Sequence, residues 1–384
     1  MRNSPSQWLG FHPGEQIFRL RRNMKAQIII AVFLGASLAA INEEGQPVKR
    51  LIKWGESDQG SWLGEEELFT LIKSGIHFVD VTTSKFPGGI NRTTIGEHVI
   101  PGNLRFEDIV LTAIGNIDID RMMTFVDRLD NFPNRYYNNQ NGVDAADWVE
   151  RMVKVAIIDP GYEGRVTVTK FNHSCAQHSI IARIEGSDPI LKDEFVVFGA
   201  HFDSINKDDP VNGIAPGAND NASGSVTLFE SLRVLIETGF VPKRSIEFQW
   251  YSAEEVGLRG SGDIAETYYN QGVKIVAMVN YDEVGFRSGP NQFGLLTDYT
   301  SPILTALLRL VIEKYCSILW INHFCGYACS DHASFTRHGY PTACASSYPL
   351  SPDIHTPADT ADKMSFEQVA EFVKLTVGVA IEIG

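Results

Sequence analysis

The sequence is poor in cysteine: five among 384 residues, too few to staple a chain of this length into a disulfide-built fold. It has no basic surplus. Thirty-three Lys and Arg stand against 47 Asp and Glu, a net charge of −14. That argues against a nucleic-acid partner, because phosphate binding draws on an excess of cations. No apolar run reaches the about 20 residues that a bilayer-spanning helix needs. There is no internal repeat, no HExxH zinc helix and no GxSxG nucleophile elbow, so those hydrolase routes have no support. What is present is 43% apolar and 21% charged residues, the composition of a globular protein with a real core. The length allows two average domains, or one large α/β domain with an appendage.

The longest apolar run reads as an address. Arg19, Arg21, Arg22 and Lys25 precede 14 apolar residues from Ile28 to Ile41. A signal-peptide core takes roughly 7–15 residues behind a positive flank. Ser37-Leu38-Ala39 places small residues where signal peptidase reads, so cleavage is expected after Ala39, with Met24 as an alternative start. A secreted chain makes Asn91 and Asn172, both in Asn-x-Ser/Thr sequons, expected glycan acceptors. Asn221 also fits that pattern but lies among the catalytic candidates below, where a glycan would block chemistry.

Residues 40–101 read as a small acidic appendage. Glu65-Glu66-Glu67 opens a helix with Leu68, Leu71 and Ile72 on one face, closed by Gly75. Phe86-Pro87-Gly88-Gly89 then marks a processable linker. From residue 102 onward helices and strands alternate. Helices are expected near 118–130, 144–154, 302–315 and 366–381, with Val226, Phe229, Leu232 and Leu235 at helical spacing in another. Strands are expected at 164–171, 178–185, 195–200, 245–251, 273–280 and 292–296. Apolar runs such as Phe195-Val196-Val197-Phe198 suit strands buried on both faces. The expected fold is therefore α/β: one domain, 102–384, whose mostly parallel mixed sheet is covered by helices on both faces.

Polar residues follow three of these strands directly: His201 and Asp203, then Glu254 and Glu255, then Asp282 and Glu283. Ligands in open α/β sheets bind beyond the carboxyl ends of strands. Two loops join the group, one around Asp220 in Pro216–Gly224 and one around His355 in Ile354–Thr360. A single histidine at a strand end is more often structural, and a Glu-Glu pair is more often a solvated turn. Together, imidazole and carboxylate make the donor set of a catalytic Zn²⁺ pair. Neighbours on an extended segment face opposite ways, so one of Glu254 and Glu255 can bind metal while the other faces substrate. Charge favours two ions, since three ligand carboxylates and a hydroxide balance +4.

The segments GAHFDS, PGANDNASG, SAEEVGLRGS, NYDEVG, CSDHASF and HTPADT stand here in an order that resembles the secreted co-catalytic di-zinc aminopeptidases of bacteria and fungi, the leucine aminopeptidase type. The resemblance covers roughly residues 120–384. It implies that Asp220 bridges the two ions, that His201 and Asp282 complete one site, and that Glu255 and His355 complete the other. It implies Glu254 as general base, Asp203 as the residue orienting His201, Tyr327 as a hydrogen-bond donor to the reacting carbonyl, and a cis Asp220-Asn221 peptide. It implies further a disulfide between Cys325 and Cys329, leaving Cys175, Cys316 and Cys344 without an assigned partner. By the same resemblance residues 40–101 assist folding or inhibit until removed, and peptides with a free amino terminus are the substrates of a chain expected to act as a monomer, free of nucleic acid and membrane. Glu283 departs from the pattern, where relatives commonly carry an apolar residue; this suggests a weaker preference for Leu or a preference for polar or basic first residues, or else a carboxylate turned to solvent.

Competing readings stand beside this one. A glutaminyl-peptide cyclotransferase shares the fold but typically uses one zinc, and a non-catalytic binding module would keep the fold without the ligands. A carboxypeptidase or dipeptidase of the same superfamily is a further option. His323, Cys325, Cys329 and His332 formally spell a zinc knot. Gly260-Ser261-Gly262-Asp263-Ile264-Ala265 imitates a dinucleotide loop, but such a loop follows its strand directly, and here residues 252–259 intervene.

Overall fold

The computed structural model describes residues 48–54, 59–85, 100–158, 165–287, 289 and 291–384. The expected signal segment, the Asn91 sequon and the Phe86–Gly89 linker lie outside these. Helix α1 (Glu65–Lys73) follows strands β1 (Arg50–Lys53) and β2 (Ser61–Leu63), and β3 (Val79–Asp80) comes next. Among the described residues the main domain adds helices α2 (Glu107–Ile114), α3 (Ile119–Asp130), α4 (Gln140–Ala156), α5 (Ser223–Glu237), α6 (Arg259–Gln271), α7 (Pro302–Tyr315), α8 (His332–Arg337) and α9 (Phe366–Ile383). Its strands are β4 (Val166–Phe171), β5 (Ser179–Ile184), β6 (Glu194–His201), β7 (Ser245–Tyr251), β8 (Lys274–Tyr281), β9 (Gln292–Leu296), β10 (Leu319–His323) and β11 (Thr342–Tyr348).

Local sequence accounts for several boundaries. Asp118, Asn139, Ser301 and Ser365 cap α3, α4, α7 and α9 by accepting a backbone N–H three residues on. In α3, Met122, Phe125, Val126 and Leu129 repeat at helical spacing and all four are buried. Gly75 closes the turn after α1 with φ +63, a conformation glycine adopts without a Cβ penalty.

Eight strands form one sheet in the order β10-β9-β11-β8-β6-β7-β5-β4. β7, β6, β8 and β11 run parallel at its centre, and β5 and β9 pair antiparallel to either side. This is the mostly parallel mixed sheet expected. Alternate residues serve alternate faces: Val196, Phe198 and Ala200 pack into the larger core with α3, α4, α5, α7 and α9, while Val197 joins a second core with residues of α6 and α8. Helices therefore cover both faces. The signals for α2, α6, α8, β10 and β11 were not read from the sequence.

The segment 48–85 forms its own antiparallel sheet, β2-β1-β3, closed by α1 over Ile52, Leu63, Leu68 and Leu71. It docks on the main domain. The Asp80 N–H donates to the Gly257 carbonyl at 2.9 Å, the Lys85 N–H donates to Glu266 at 3.0 Å, and the Asp80 carboxylate lies 3.7 Å from Arg259. Val79 and Val81 pack against Leu258 and Ala333.

Candidate active site

β8, β6 and β7 lie side by side and parallel, so their carboxyl ends share one rim. His201 is the last residue of β6, Asp282 follows β8 directly, and Glu254 and Glu255 come three and four residues after β7. Asp220 sits in the turn before α5, and His355 in the loop between β11 and α9. Ala253, Glu283 and His355 all carry positive φ, from 51° to 58°. Such strain in residues with a Cβ concentrates at functional sites. The Asp220-Asn221 peptide is cis, as is Tyr348-Pro349, which the sequence did not suggest.

The five expected ligands come together. His201 Nε2 lies 3.2 Å from Asp220 Oδ1 and 3.4 Å from Asp282 Oδ1. His355 Nε2 lies 3.0 Å from Asp220 Oδ2 and 2.8 Å from Glu255 Oε2. The two oxygens of Asp220 thus serve two different imidazoles. Glu254 groups with His201 and Asp282, their donor atoms within 4.8 Å of one another. The donors fit metal: Glu255 Oε1 and Asp282 Oδ1 are buried and accept no hydrogen bond. Buried acceptors in native proteins are normally satisfied, so these oxygens fit cation ligation.

The electrostatics point the same way. Burial pushes the Glu254 carboxyl well above the usual range, against the pull of His201 and with the push of Asp331. Burial pushes Glu255 up to about 7 despite His355 beside it. For both imidazoles burial disfavours the charged form, but Glu254 and Asp282 around His201, and Glu255 and Asp220 around His355, hold them well above 6.5. A crowd of acids that retains protons when alone is one that cations stabilise.

The residues around the ligands hold them in place. Asp203 Oδ1 and Oδ2 accept the backbone N–H groups of Glu254 and Glu255 at 3.0 and 3.3 Å, while its carbonyl lies 3.2 Å from His201 Nδ1. Its carboxylate therefore steadies the glutamate pair more closely than it does the histidine, whose Nδ1 is 3.6 Å from Oδ1. Tyr327 lines the cleft with Glu254, Asp282 and Glu283. The Glu283 carboxylate faces into it, accepting from Asn219 Nδ2 at 3.4 Å. Asn221 is fully buried, with its amide donating to the Tyr281 carbonyl at 2.9 Å, which leaves no room for a glycan. Asn172 is exposed. Cys325 and Cys329 are joined as a disulfide, which removes both thiols from any zinc knot. Cys175, Cys316 and Cys344 are free thiols. Gly260 and Gly262 lie inside α6, in no phosphate loop.

Three further residues matter and were not singled out. Asp359, in the HTPADT segment, accepts the N–H groups of Asn219 and Asp220, both at 2.9 Å. Arg135, fully buried, donates to the carbonyls of Phe202 at 2.6 Å and Gly217 at 2.8 Å, and also to that of Pro216. It ties the loop after β6 to the turn that carries Asp220. His77, from the amino-terminal segment, stacks on Tyr327 with ring centroids 4.1 Å apart, so the segment forms one wall of the cleft.

The sequence profile of peptidase family M28 matches residues 179–380, a span that contains every one of these ligands. The chain belongs to this family. Among its relatives, a probable leucine aminopeptidase 1 of Trichophyton verrucosum (strain HKI 0517) is 39% identical over 338 residues, covering 84% of this chain and 89% of that protein. A leucine aminopeptidase 1 of Arthroderma otae (strain ATCC MYA-4605 / CBS 113480) is 36% identical over 378 residues, covering 93% and 99%. Of solved structures, the LapA aminopeptidase of Legionella pneumophila superposes with a TM-score of 0.74 at 27% identity, covering 84% of this chain and 90% of that one. As an M28 chain with leucine aminopeptidase relatives this protein is a hydrolase of the peptidase class.

Proposed function

We propose that this M28 chain is an aminopeptidase that works with two zinc ions and is made as a secreted precursor. The observation that carries the reading is Asp220, whose Oδ1 faces His201 and whose Oδ2 faces His355. His201 and Asp282 would hold one ion, Glu255 and His355 the other, with Asp220 common to both. When bound, zinc lowers the pKa of a ligated water toward neutrality and polarises a carbonyl. Glu254, grouped with His201 and Asp282, would take the proton of the attacking water and return it to the leaving amine. Tyr327, which lines the same cleft, would donate its hydroxyl hydrogen to the reacting carbonyl, and the ligand acids would attract a free α-amine. The relatives named leucine aminopeptidase support this substrate end.

Glu254→Gln should keep the zinc content of the wild type by elemental analysis and lose turnover by about 10²–10⁴-fold on leucine amide. Near-normal activity in that variant would refute the base assignment, and a single zinc bound in the cleft of the wild type would favour the cyclotransferase reading instead.

The cover over the cleft supports the precursor reading. Ile72, Ile76, His77 and Phe78 of the segment 48–85 line the same cavity as Glu254 and Asp282. A segment held there narrows the cleft, so cleavage in the linker that follows would widen access to the site. The Cys325–Cys329 disulfide suits an oxidising compartment, and export in turn makes Asn172 and Asn91 glycan acceptors.

The position of Glu283 supports a role in selecting the first residue. Its carboxylate lines the cleft, so an apolar side chain would meet an acid and a basic one a partner. Comparing Leu-, Lys- and Arg-amide hydrolysis by wild type and Glu283→Met checks this, with the basic substrates expected to lose rank; an unchanged ranking would overturn it.

A further inference from the structure

Away from the cleft, a second set of zinc-type donors converges where α4 lies against the edge of the sheet. Asp147 and Glu150 are three residues apart on α4 and so share a face. His178 directly precedes β5. One donor atom from each of the three lies within 4.8 Å of the others. His178 is only 6% exposed, and its Nε2 is buried with no hydrogen-bond partner.

The acids already hold a cation. Lys170 of β4 places its Nζ 2.8 Å from Asp147 Oδ1 and 3.1 Å from Glu150 Oε2, and Lys154 lies 2.8 Å from Glu150 Oε1. These ammonium groups satisfy the carboxylates and leave the imidazole nitrogen without a partner. A metal ion would take all three donors at once. Imidazole with two carboxylates suits zinc better than calcium or magnesium, which prefer oxygen alone. Donors around tetrahedral zinc stand roughly 3.3–3.6 Å apart, so rotations closing the set by about 1 Å suffice. Lys170 is 40% exposed and free to swing into solvent.

We propose that Asp147, Glu150 and His178 form a zinc site separate from the catalytic centre, in which the ion takes the place of the Lys170 ammonium and ties α4 to the start of β5. None of these residues reaches the cleft, so the site is structural and leaves peptidase turnover unchanged when removed.

Equilibrium dialysis of the full-length protein against zinc tests the site in wild type, His178→Gln, Asp147→Asn and Lys170→Met. Wild type should take up one zinc per chain more than His178→Gln and Asp147→Asn. Lys170→Met should hold that extra ion about tenfold more tightly, because a competing positive charge is gone. Equal zinc counts in wild type and both ligand variants would overturn the proposal, as would equal or weaker uptake by Lys170→Met. Should His178→Gln fail to fold, the other two variants decide the question.

Discussion

His332 opens α8 with both ring nitrogens buried and without a hydrogen-bond partner. Burial pushes its pKa down to about 4, against the pull of Asp298. In the unfolded chain the same imidazole titrates near 6.5. Between those values the unfolded state binds a proton that the folded state refuses, so stability falls as pH drops from 6.5 to 4, by up to roughly 3 kcal/mol. Denaturant titrations across that window should show a steeper loss for wild type than for His332→Gln; parallel curves would refute it. At this scale the ligands were legible, because each follows a buried strand or sits in a turn rich in glycine and polar residues. Arg135 and Asp359 were not. Their work is to bind backbone groups, and the pattern of a sequence shows which side chains are polar, not which distant carbonyl or amide they meet.

At the scale of elements, the segment 48–85 is held by few anchors. Asp80 is a charged one, lying 3.7 Å from Arg259 of the main domain while pairing with Arg50 inside the segment. Asp80→Ala should loosen the cover, and each 1.4 kcal/mol of lost docking raises the open fraction about tenfold. The expected result is higher activity of the uncleaved chain together with faster trimming by added protease; if neither changes, the segment does not gate the cleft. The helix α1 was legible from three leucine-type residues on one face and a closing glycine. The strands β10 and β11 were not. β11 reads Thr-Ala-Cys-Ala-Ser-Ser-Tyr, small and polar, and is a strand because it fills the slot between β8 and β9. α6 carries two glycines and three polar residues in its first five positions, and its helicity comes from Ile264, Ala265 and Tyr268 packing under the sheet.

Across the whole molecule the acidic balance becomes a stability question. Asp220, Glu254, Glu255, Asp282 and Asp331 crowd one rim, and Asp331 is itself fully buried with neither oxygen hydrogen-bonded. Without cations that crowd repels itself, so chelation should lower the thermal midpoint by roughly 5–10 °C, and added zinc should restore it. An unchanged midpoint after complete metal removal, measured by calorimetry, would mean that the ligands are stable without ions. The general architecture was readable because alternating apolar runs and amphipathic helices recur along the chain. The order of the strands was not, since β11 arrives from far downstream to lie beside β8.

That order bears on how the protein is born. The ligands are donated by β6, the turn before α5, the loop after β7, the end of β8 and, last, the loop holding His355. A ribosome delivers them in that sequence. Until the final imidazole has emerged, Asp220 has only one of its two histidine neighbours, and the emerging polypeptide holds an incomplete catalyst. On the two-zinc reading proposed above, the site would therefore be complete only after nearly all of the chain has been made.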